Sequence, residues 1–115
     1  HWDQWFAGFR DRTRHYAALA ARAGCAAFGL DSELDYTVDQ NAHWHDVVAV
    51  ARSEYRGHLT TSHTWRVDFA AELRDRPDHW FRELDSLGCS FYAPLADGPG
   101  ATVDEMKARL GPELA

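Results

Sequence analysis

Three short apolar runs recur about every 30 residues along the chain, and helix-like sequence separates each run from the next. The runs are Cys25–Leu30, Leu59–Ser62 and Cys89–Pro94. Such spacing is typical of β-α-β units, in which consecutive strands lie parallel and a helix crosses between them. The runs lack strict alternation of apolar and polar residues, as expected of strands covered on both faces. The sequence therefore predicts an α/β fold with a parallel sheet and helices outside it.

Amphipathic segments account for the intervals between the runs. Apolar residues recur at three- and four-residue spacing over Trp2–Ala23, which predicts a first helix that ends at Gly24. A second helix has its apolar face within residues 44–55 and ends at Gly57, and a short third helix precedes the last run within residues 80–87.

A last helix is predicted to begin after Thr102. Glu105 follows three residues later, and at this spacing the two side chains can cap each other's backbone N–H groups. Gly111 and Pro112 are expected to end the helix, because both residues are common just beyond a helix C-terminus.

A doubly wound sheet and a segment of a barrel both fit this pattern. The sequence contains neither a GxGxxG turn nor a GxxxxGK[ST] loop, which disfavours nucleotide binding. A complete eight-stranded α/β barrel takes about 250 residues. In a barrel, these 115 residues would form only part of the domain, with two sheet edges and an apolar interior left open, and we expect such a piece to aggregate, dimerise or fold poorly.

Charge and composition exclude several classes of partner. The formal net charge is −6, from 12 Lys and Arg against 18 Asp and Glu, so there is no basic stripe to follow a phosphate backbone and no nucleic acid partner is expected. No apolar run approaches the roughly 20 residues that span a bilayer, so no membrane partner is expected. The expected ligands are neutral or cationic.

Histidine and cysteine spacing gives no support to a metal or another cofactor. His43 and His45 flank Trp44, and residues two apart on a helix point in nearly opposite directions. Cys25 and Cys89 are too far apart in sequence for a Cys-x-x-Cys site. Their apolar surroundings favour two small buried side chains, with a disulfide as the alternative.

Polar and aromatic residues follow each apolar run. In parallel α/β folds the ligand lies beyond the carboxyl ends of the strands, so these residues are the candidates for a site. Glu33 is a candidate acid for glycosidic bond cleavage, in which a carboxylic acid protonates the leaving oxygen. Ser32, His63, Trp65 and Tyr92 are candidates to contact a sugar through hydrogen bonds and ring stacking.

Three motifs resemble glycoside hydrolase family 113, a β-mannanase-containing family in the retaining (β/α)8 clan. Residues 28–34 resemble a strand that ends in a Gly-x-Glu-Leu-like motif, and residues 52–60 match the spacing Arg-x-x-Tyr-x-Gly-x-Leu-Thr. Residues 85–95 resemble Asp-x-x-Gly-x-x-x-Tyr-x-Pro-Leu. The resemblance implies a partial (β/α)8 TIM barrel, roughly strands 4 to 6, with residues 1–115 a fragment of one glycoside hydrolase-like domain.

The resemblance also implies roles for individual residues. Glu33 would be the general acid/base at the end of the fourth strand, Trp65 part of the sugar-facing wall after the fifth, and Tyr92 a hydrogen-bonding neighbour of the nucleophile. The nucleophilic glutamate would belong to strand seven, in the remainder of the barrel chain. Ser32 stands where many relatives in the clan have Asn, so the substrate could differ from theirs.

Two functions follow from this resemblance. One is a retaining glycoside hydrolase that acts on a β-linked polysaccharide such as β-mannan. The other is a barrel that binds carbohydrate without cleaving it, of the kind found in phage-tail-like particles. A glutamate at the end of strand seven would distinguish the enzyme from the binding domain.

Overall fold

The computed structural model describes residues 1–113, in which helices and strands alternate and three strands form one parallel sheet. The strands are hydrogen-bonded in the order β1 (Ala27–Ser32), β2 (His58–Thr64) and β3 (Ser86–Ser90). The helices are α1 (Trp2–Ala23), α2 (Asn41–Glu54), α3 (Phe69–Asp75) and α4 (Val103–Glu113), and short 3-10 turns lie at Asp35–Thr37 and Trp80–Glu83. The predicted α/β fold with a parallel sheet is confirmed.

The hydrophobic core is formed where α1 and α2 pack on one face of the sheet. Phe6 and Phe9 from α1 make edge-to-face contacts with Trp44 of α2. The Trp44 indole stacks on Trp80, with 4.3 Å between the ring centroids. Both indoles and the side chain of Leu59 are fully buried. Burial of such large side chains, each contributing about 1.5–3 kcal/mol, fixes the two helices on the sheet.

The opposite face of the sheet carries hydroxyl groups. Side chains alternate along β2, so Leu59, Thr61 and His63 are buried on the helix side while Thr60 and Ser62 face the other way. Hydroxyl pairs cross between β2 and β3 on this face, with oxygen separations of 3.0 Å for Thr60–Ser86 and 3.2 Å for Ser62–Ser90. The expectation of an apolar open interior is therefore wrong for these strands.

Strand β3 begins and ends earlier than its apolar run predicts. The predicted strand was Cys89–Pro94, whereas pairing with β2 runs from Ser86 to Ser90. The carboxylate of Asp85 accepts a hydrogen bond of 2.7 Å from the backbone N–H of Leu59, which fixes where this pairing starts. The position of β3 thus follows from its partner strand.

Both cysteines are exposed and neither forms a disulfide. Cys25 follows Gly24, which ends α1 in a left-handed conformation at the surface. Cys89 lies on β3, the last strand of the sheet, where the helix side is open to solvent. The predicted burial of the two cysteines, and the disulfide offered as its alternative, are therefore wrong.

Helix ends agree with the sequence where a cap is local. Gly24 ends α1 with φ 67°, and the Thr102 and Glu105 side chains cap α4 as predicted. Helix α4 nevertheless continues past Gly111, since this glycine does not adopt the left-handed conformation seen at Gly24. Helix α3, which the sequence analysis missed, begins with the Asp68 carboxylate accepting the Ala71 N–H at 2.9 Å.

Within residues 1–113 no helix is long and apolar enough to cross a membrane.

Candidate functional site

A bulge in β1 sets the directions of the side chains at its carboxyl end. Gly29 pairs with Thr60 and Ser32 pairs with Ser62, so two residues of β1 lie opposite a single residue of β2. One of the two is Asp31, whose carboxylate turns into the buried layer between sheet and helices. Extra residues of this kind re-aim side chains next to functional sites.

Glu33 follows directly after β1 in a left-handed backbone conformation. Its φ is 61°, and among the described residues no other non-glycine residue has a positive φ. The Glu33 N–H donates to the carbonyl of Ser62 at 2.7 Å, which ties this residue to β2. A left-handed conformation costs a non-glycine residue about 1–2 kcal/mol, so the surrounding structure must hold it in place. The exposed side chain projects beyond the strand end.

An open pocket of about 700 Å³ lies at the carboxyl ends of the strands. Two carboxylates and three aromatic rings line it. The lining residues are Glu33, Asp35, Tyr36, Thr64, Trp65, Arg66, Val67, Tyr92 and Pro94. Of the sequence-predicted residues, the structure brings Glu33, Trp65 and Tyr92 together in this pocket.

Two of the predicted aromatic residues present polar or planar groups to the pocket. Tyr92 is 67% exposed, and the Glu33 carboxylate raises the pKa of its phenol, first through a hydrogen bond and then through its negative charge. The Trp65 ring is half exposed, and its backbone N–H donates to the Ser90 carbonyl at 3.2 Å. The Arg66 guanidinium lies over the Trp65 ring at 5.9 Å from its centroid. The arrangement suits a ligand that has both hydroxyl groups and flat apolar faces.

His63 does not reach the pocket. Its side chain is 0% exposed and packs against the rings of Trp80 and Phe81. The alternation of side chains along β2 directs His63 toward the helix layer, while the next residue, Thr64, points away from that layer and lines the pocket. The prediction that His63 contacts the substrate is therefore corrected, because a fully buried imidazole cannot touch a sugar in the pocket.

The buried His63 lies between two carboxylates instead. Its Nδ1 is 3.1 Å from an oxygen of Asp35, and its Nε2 is 3.2 Å from the Thr61 hydroxyl and 3.8 Å from an oxygen of Asp31. The Thr61 hydroxyl is in turn hydrogen-bonded to Asp31. Burial raises the pKa of Asp31, against the opposing effects of the Thr61 hydrogen bond and the charge of His63.

Asp35 is held ionised by its hydrogen-bond donors. Partial burial opposes ionisation, but hydrogen bonds from the Thr64 hydroxyl, the Thr64 backbone N–H and His63 outweigh it and keep the pKa of Asp35 below its usual range. The Thr64 N–H lies 3.1 Å from the carboxylate. This carboxylate therefore connects the loop after β1 to the end of β2.

Two predicted residues, His63 and Ser32, lie outside the pocket, and two unpredicted residues of the loop after β1 line it. Ser32 is exposed at the end of β1 but does not line the pocket. Tyr36, 96% exposed, and Asp35 do line it. The only sequence signal for these two was their position directly after the Glu33-Leu34 pair, and a polar loop after a strand has no fixed direction.

A second depression of about 700 Å³ shares no lining residue with the strand-end pocket. It is formed by the loop at residues 95–101 and one side of α4. Its charged groups already have hydrogen-bond partners, since Arg109 donates to Asp97 at 2.7 Å and Glu105 caps α4. This depression offers no acid beside aromatic rings, so the strand-end pocket is the candidate site.

In the part of the chain that the structure describes, no group of three His, Cys, Asp or Glu side chains could hold a metal ion.

Comparisons with known proteins give the family and the fold. The family model of Glycoside Hydrolase Family 113 matches residues 1–111. The structure of a GH113 beta-1,4-mannanase is similar with a TM-score of 0.70 and 24% identity over 97% of this chain and 32% of that chain. The GH113 beta-mannanase from Alicyclobacillus acidocaldarius in complex with ManMIm gives a TM-score of 0.69 and 25% identity over 99% of this chain and 34% of that one.

These matches confirm the predicted partial (β/α)8 barrel. The chain spans about a third of the length of the solved structures that it matches, with 32% and 34% of their chains covered. No curated protein matches the sequence.

Proposed function

Because the chain belongs to glycoside hydrolase family 113, we propose that it carries the acid/base side of the active site of a retaining glycoside hydrolase that acts on β-mannan. Glu33 is the general acid/base. In the first step its carboxylic acid protonates the glycosidic oxygen as the bond to the leaving sugar breaks. In the second step its carboxylate takes a proton from the water that releases the other sugar from the nucleophile.

The observation that carries this assignment is the position of Glu33. Its carboxyl group projects from the carboxyl end of a parallel strand into a pocket lined by Trp65 and Tyr92. Active sites of α/β barrels lie at this end of the strands. The Glu33 carboxylate also raises the pKa of the Tyr92 phenol, as expected of an acid that lies close to this hydroxyl.

The nucleophile of this mechanism is proposed to come from the remainder of the barrel, with residues 1–115 forming one piece of a single domain. Asp35 is the other carboxylate in the pocket, but its oxygens accept hydrogen bonds from Thr64 and His63. A carboxylate held by several donors is a weaker nucleophile, because the hydrogen bonds stabilise its negative charge. Its role is to fasten the loop.

Sugar contacts are proposed for Trp65 and Tyr92, with Ser32 beside the acid as a hydrogen-bonding candidate. Trp65 offers a half-exposed ring for the apolar face of a pyranose, and Tyr92 a hydroxyl next to the acid. The mannose-type substrate is inferred from the solved β-mannanases, one of which is in complex with ManMIm. No cofactor takes part in the proposed reaction.

Substitution of Glu33 by Gln tests the acid/base role in the complete gene product that contains this chain. We expect hydrolysis of β-mannan to fall by at least about 100-fold. Cleavage of dinitrophenyl β-mannoside should still show a burst, because that leaving group needs no proton. Added azide should then restore turnover and yield a mannosyl azide with retained β-configuration.

A control and a contrary outcome make the test specific. Glu54→Gln, at the last position of α2 and outside the pocket, should leave both activities unchanged. A wild-type protein that binds mannooligosaccharides but releases no sugar would instead support the carbohydrate-binding barrel.

A further inference from the structure

The turn that carries Glu33 is fastened to β2 at both of its ends. Asp31 precedes Glu33 and Asp35 follows it, and both carboxylates approach the same imidazole, that of His63. A bond within the turn runs from the Leu34 N–H to Asp31 at 3.4 Å. The fully buried His63 thus contacts residues on both sides of the exposed Glu33 in the chain.

We propose that His63 is a positioning residue that holds Glu33 in place by binding Asp31, through Thr61, and Asp35 from beneath the turn. This role rests on the proposed function of Glu33. His63 touches no substrate, so it acts only through the backbone that these carboxylates fix. These contacts of His63 maintain the left-handed backbone conformation of Glu33, at φ 61°.

The protons available to this network explain why an imidazole suits the place. Asp35 is acceptor-only, so the Nδ1 of His63 carries a proton and donates it. The Thr61 hydroxyl has one proton, which it gives either to Asp31 or to Nε2 of His63. In the first case Nε2–H donates to Thr61 and the imidazole is cationic. In the second case Asp31 is protonated and the imidazole is neutral.

Both arrangements contain the same number of protons and leave the same net negative charge. The chain from Asp31 to Asp35 therefore stays fully hydrogen-bonded in either arrangement, as a buried polar network requires. Neither a Leu nor another apolar side chain at position 63 could satisfy the two carboxylates. Removal of the imidazole would leave Asp35 held only by Thr64, and Asp31 only by Thr61 and Leu34, so the link between the two ends of the turn would be lost.

The test reads the position of Glu33 without relying on catalysis. Fluorotyrosine is placed at position 92 of the complete protein, and its ionisation is followed by fluorine NMR, since its lower intrinsic pKa avoids alkaline unfolding. The Glu33 carboxylate raises the pKa of Tyr92, so the titration reports whether the two groups remain in contact. The variant Glu33→Gln gives the value expected when the charge of this carboxylate is absent.

We expect His63→Leu to move the Tyr92 titration at least half of the way to the Glu33→Gln value. His63→Asn should give a smaller shift, because its amide nitrogen can replace Nδ1 as a donor to Asp35. His79→Leu is the matched control: His79 is also buried and packs on Phe81, but it has no contact with the Glu33 turn. This control should titrate like the wild type.

Kinetics provide the second measurement. A displacement of the acid by about 1 Å can cost roughly 100-fold in rate, so His63→Leu should lower kcat by about that factor with KM little changed. If His63→Leu does not fold, Thr61→Val, which has nearly the same shape and lacks the hydroxyl, serves in its place.

A folded His63→Leu variant with the wild-type Tyr92 titration would overturn the proposed role of His63. If the complete wild-type protein does not hydrolyse mannan, the proposed function of Glu33 fails, and the titration still decides whether His63 positions this residue.

Discussion

The carboxylate of Glu33 raises the pKa of the Tyr92 phenol, so two residues that follow different strands act on each other at the mouth of the pocket. A hydrogen bond is the main cause and the negative charge of Glu33 adds to it. Tyr92 therefore keeps its proton to a higher pH than an isolated phenol would, and its neutral form can donate to the Glu33 carboxylate. The acid and this part of the pocket wall are electrostatically coupled.

Replacing Glu33 by Gln is expected to lower the pKa of Tyr92 toward its ordinary value. The glutamine side chain has the same size but no charge, so the phenolate would no longer be repelled. Ultraviolet titration of this variant and of the wild type, each after subtraction of the matching Tyr92→Phe spectrum, measures the change. An unchanged pKa would mean that the two groups do not interact in solution.

Trp65→Ala is expected to weaken binding of mannooligosaccharides by about ten-fold, equivalent to about 1.4 kcal/mol. The half-exposed ring would no longer be available to stack on a pyranose, whereas Trp65→Phe should keep most of the affinity. Calorimetry on the complete protein measures the difference. Trp5→Ala removes a similarly exposed ring on α1, outside the pocket, and an equal effect there would contradict a role for Trp65 in binding.

The stability of the fold is expected to depend on pH through His79. Burial, with a contribution from the charge of Arg76, lowers the pKa of His79 from 6.5 to about 4. Between these two values the unfolded chain binds a proton that the folded chain does not. Stability should therefore be lost as the pH falls from 6.5 toward 4, by up to about 1.4 kcal/mol per pH unit.

Urea denaturation over this pH range checks the prediction. His79→Gln should remove this part of the pH dependence, because Gln does not titrate. His15→Gln, at an exposed position of α1, should leave the dependence as in the wild type. A wild-type curve that is flat over this range would contradict the lowered pKa of His79.

Gly57→Ala is expected to destabilise the fold by about 1–3 kcal/mol. A Cβ at position 57 would overlap the ring and hydroxyl of Tyr55, whose O–H donates to the Cys25 carbonyl at 2.7 Å. The buried ring would have to move and lose this hydrogen bond. Gly8→Ala in α1, where nothing lies within 4 Å of the added Cβ, should instead stabilise by about 0.5–1 kcal/mol. Urea denaturation of both variants separates the two effects.

The helices that the sequence predicted well are those whose ends depend on neighbouring residues. Gly24 ends α1 by its own backbone conformation, and Thr102 and Glu105 cap α4 within one turn. Such local signals are legible without knowledge of the fold. Helix α3 has one of them, the Asp68 cap, but its short length hid it among the surrounding polar residues.

Features that depend on a partner strand were not predictable. The start of β3 is set by Asp85 contacting Leu59, and the direction of Asp31 is set by a bulge opposite Thr61. His63 and Trp65 both follow an apolar run, yet His63 is still part of β2 and buried on the helix side, whereas Trp65 lies beyond the end of β2 and in the pocket. A shift of one residue along a strand reverses the face, and the sequence does not reveal where pairing begins.

The hydroxyl pairs on the open face of the sheet affect which surfaces can cover it. Thr60–Ser86 and Ser62–Ser90 present donors and acceptors in a fixed spacing across β2 and β3. An apolar surface packed against these hydroxyl groups would displace their bound water without offering hydrogen bonds in its place. A segment that covers this face has to supply a hydrogen-bond partner for each hydroxyl group. The face therefore favours a polar, complementary neighbour and disfavours non-specific association with apolar surfaces.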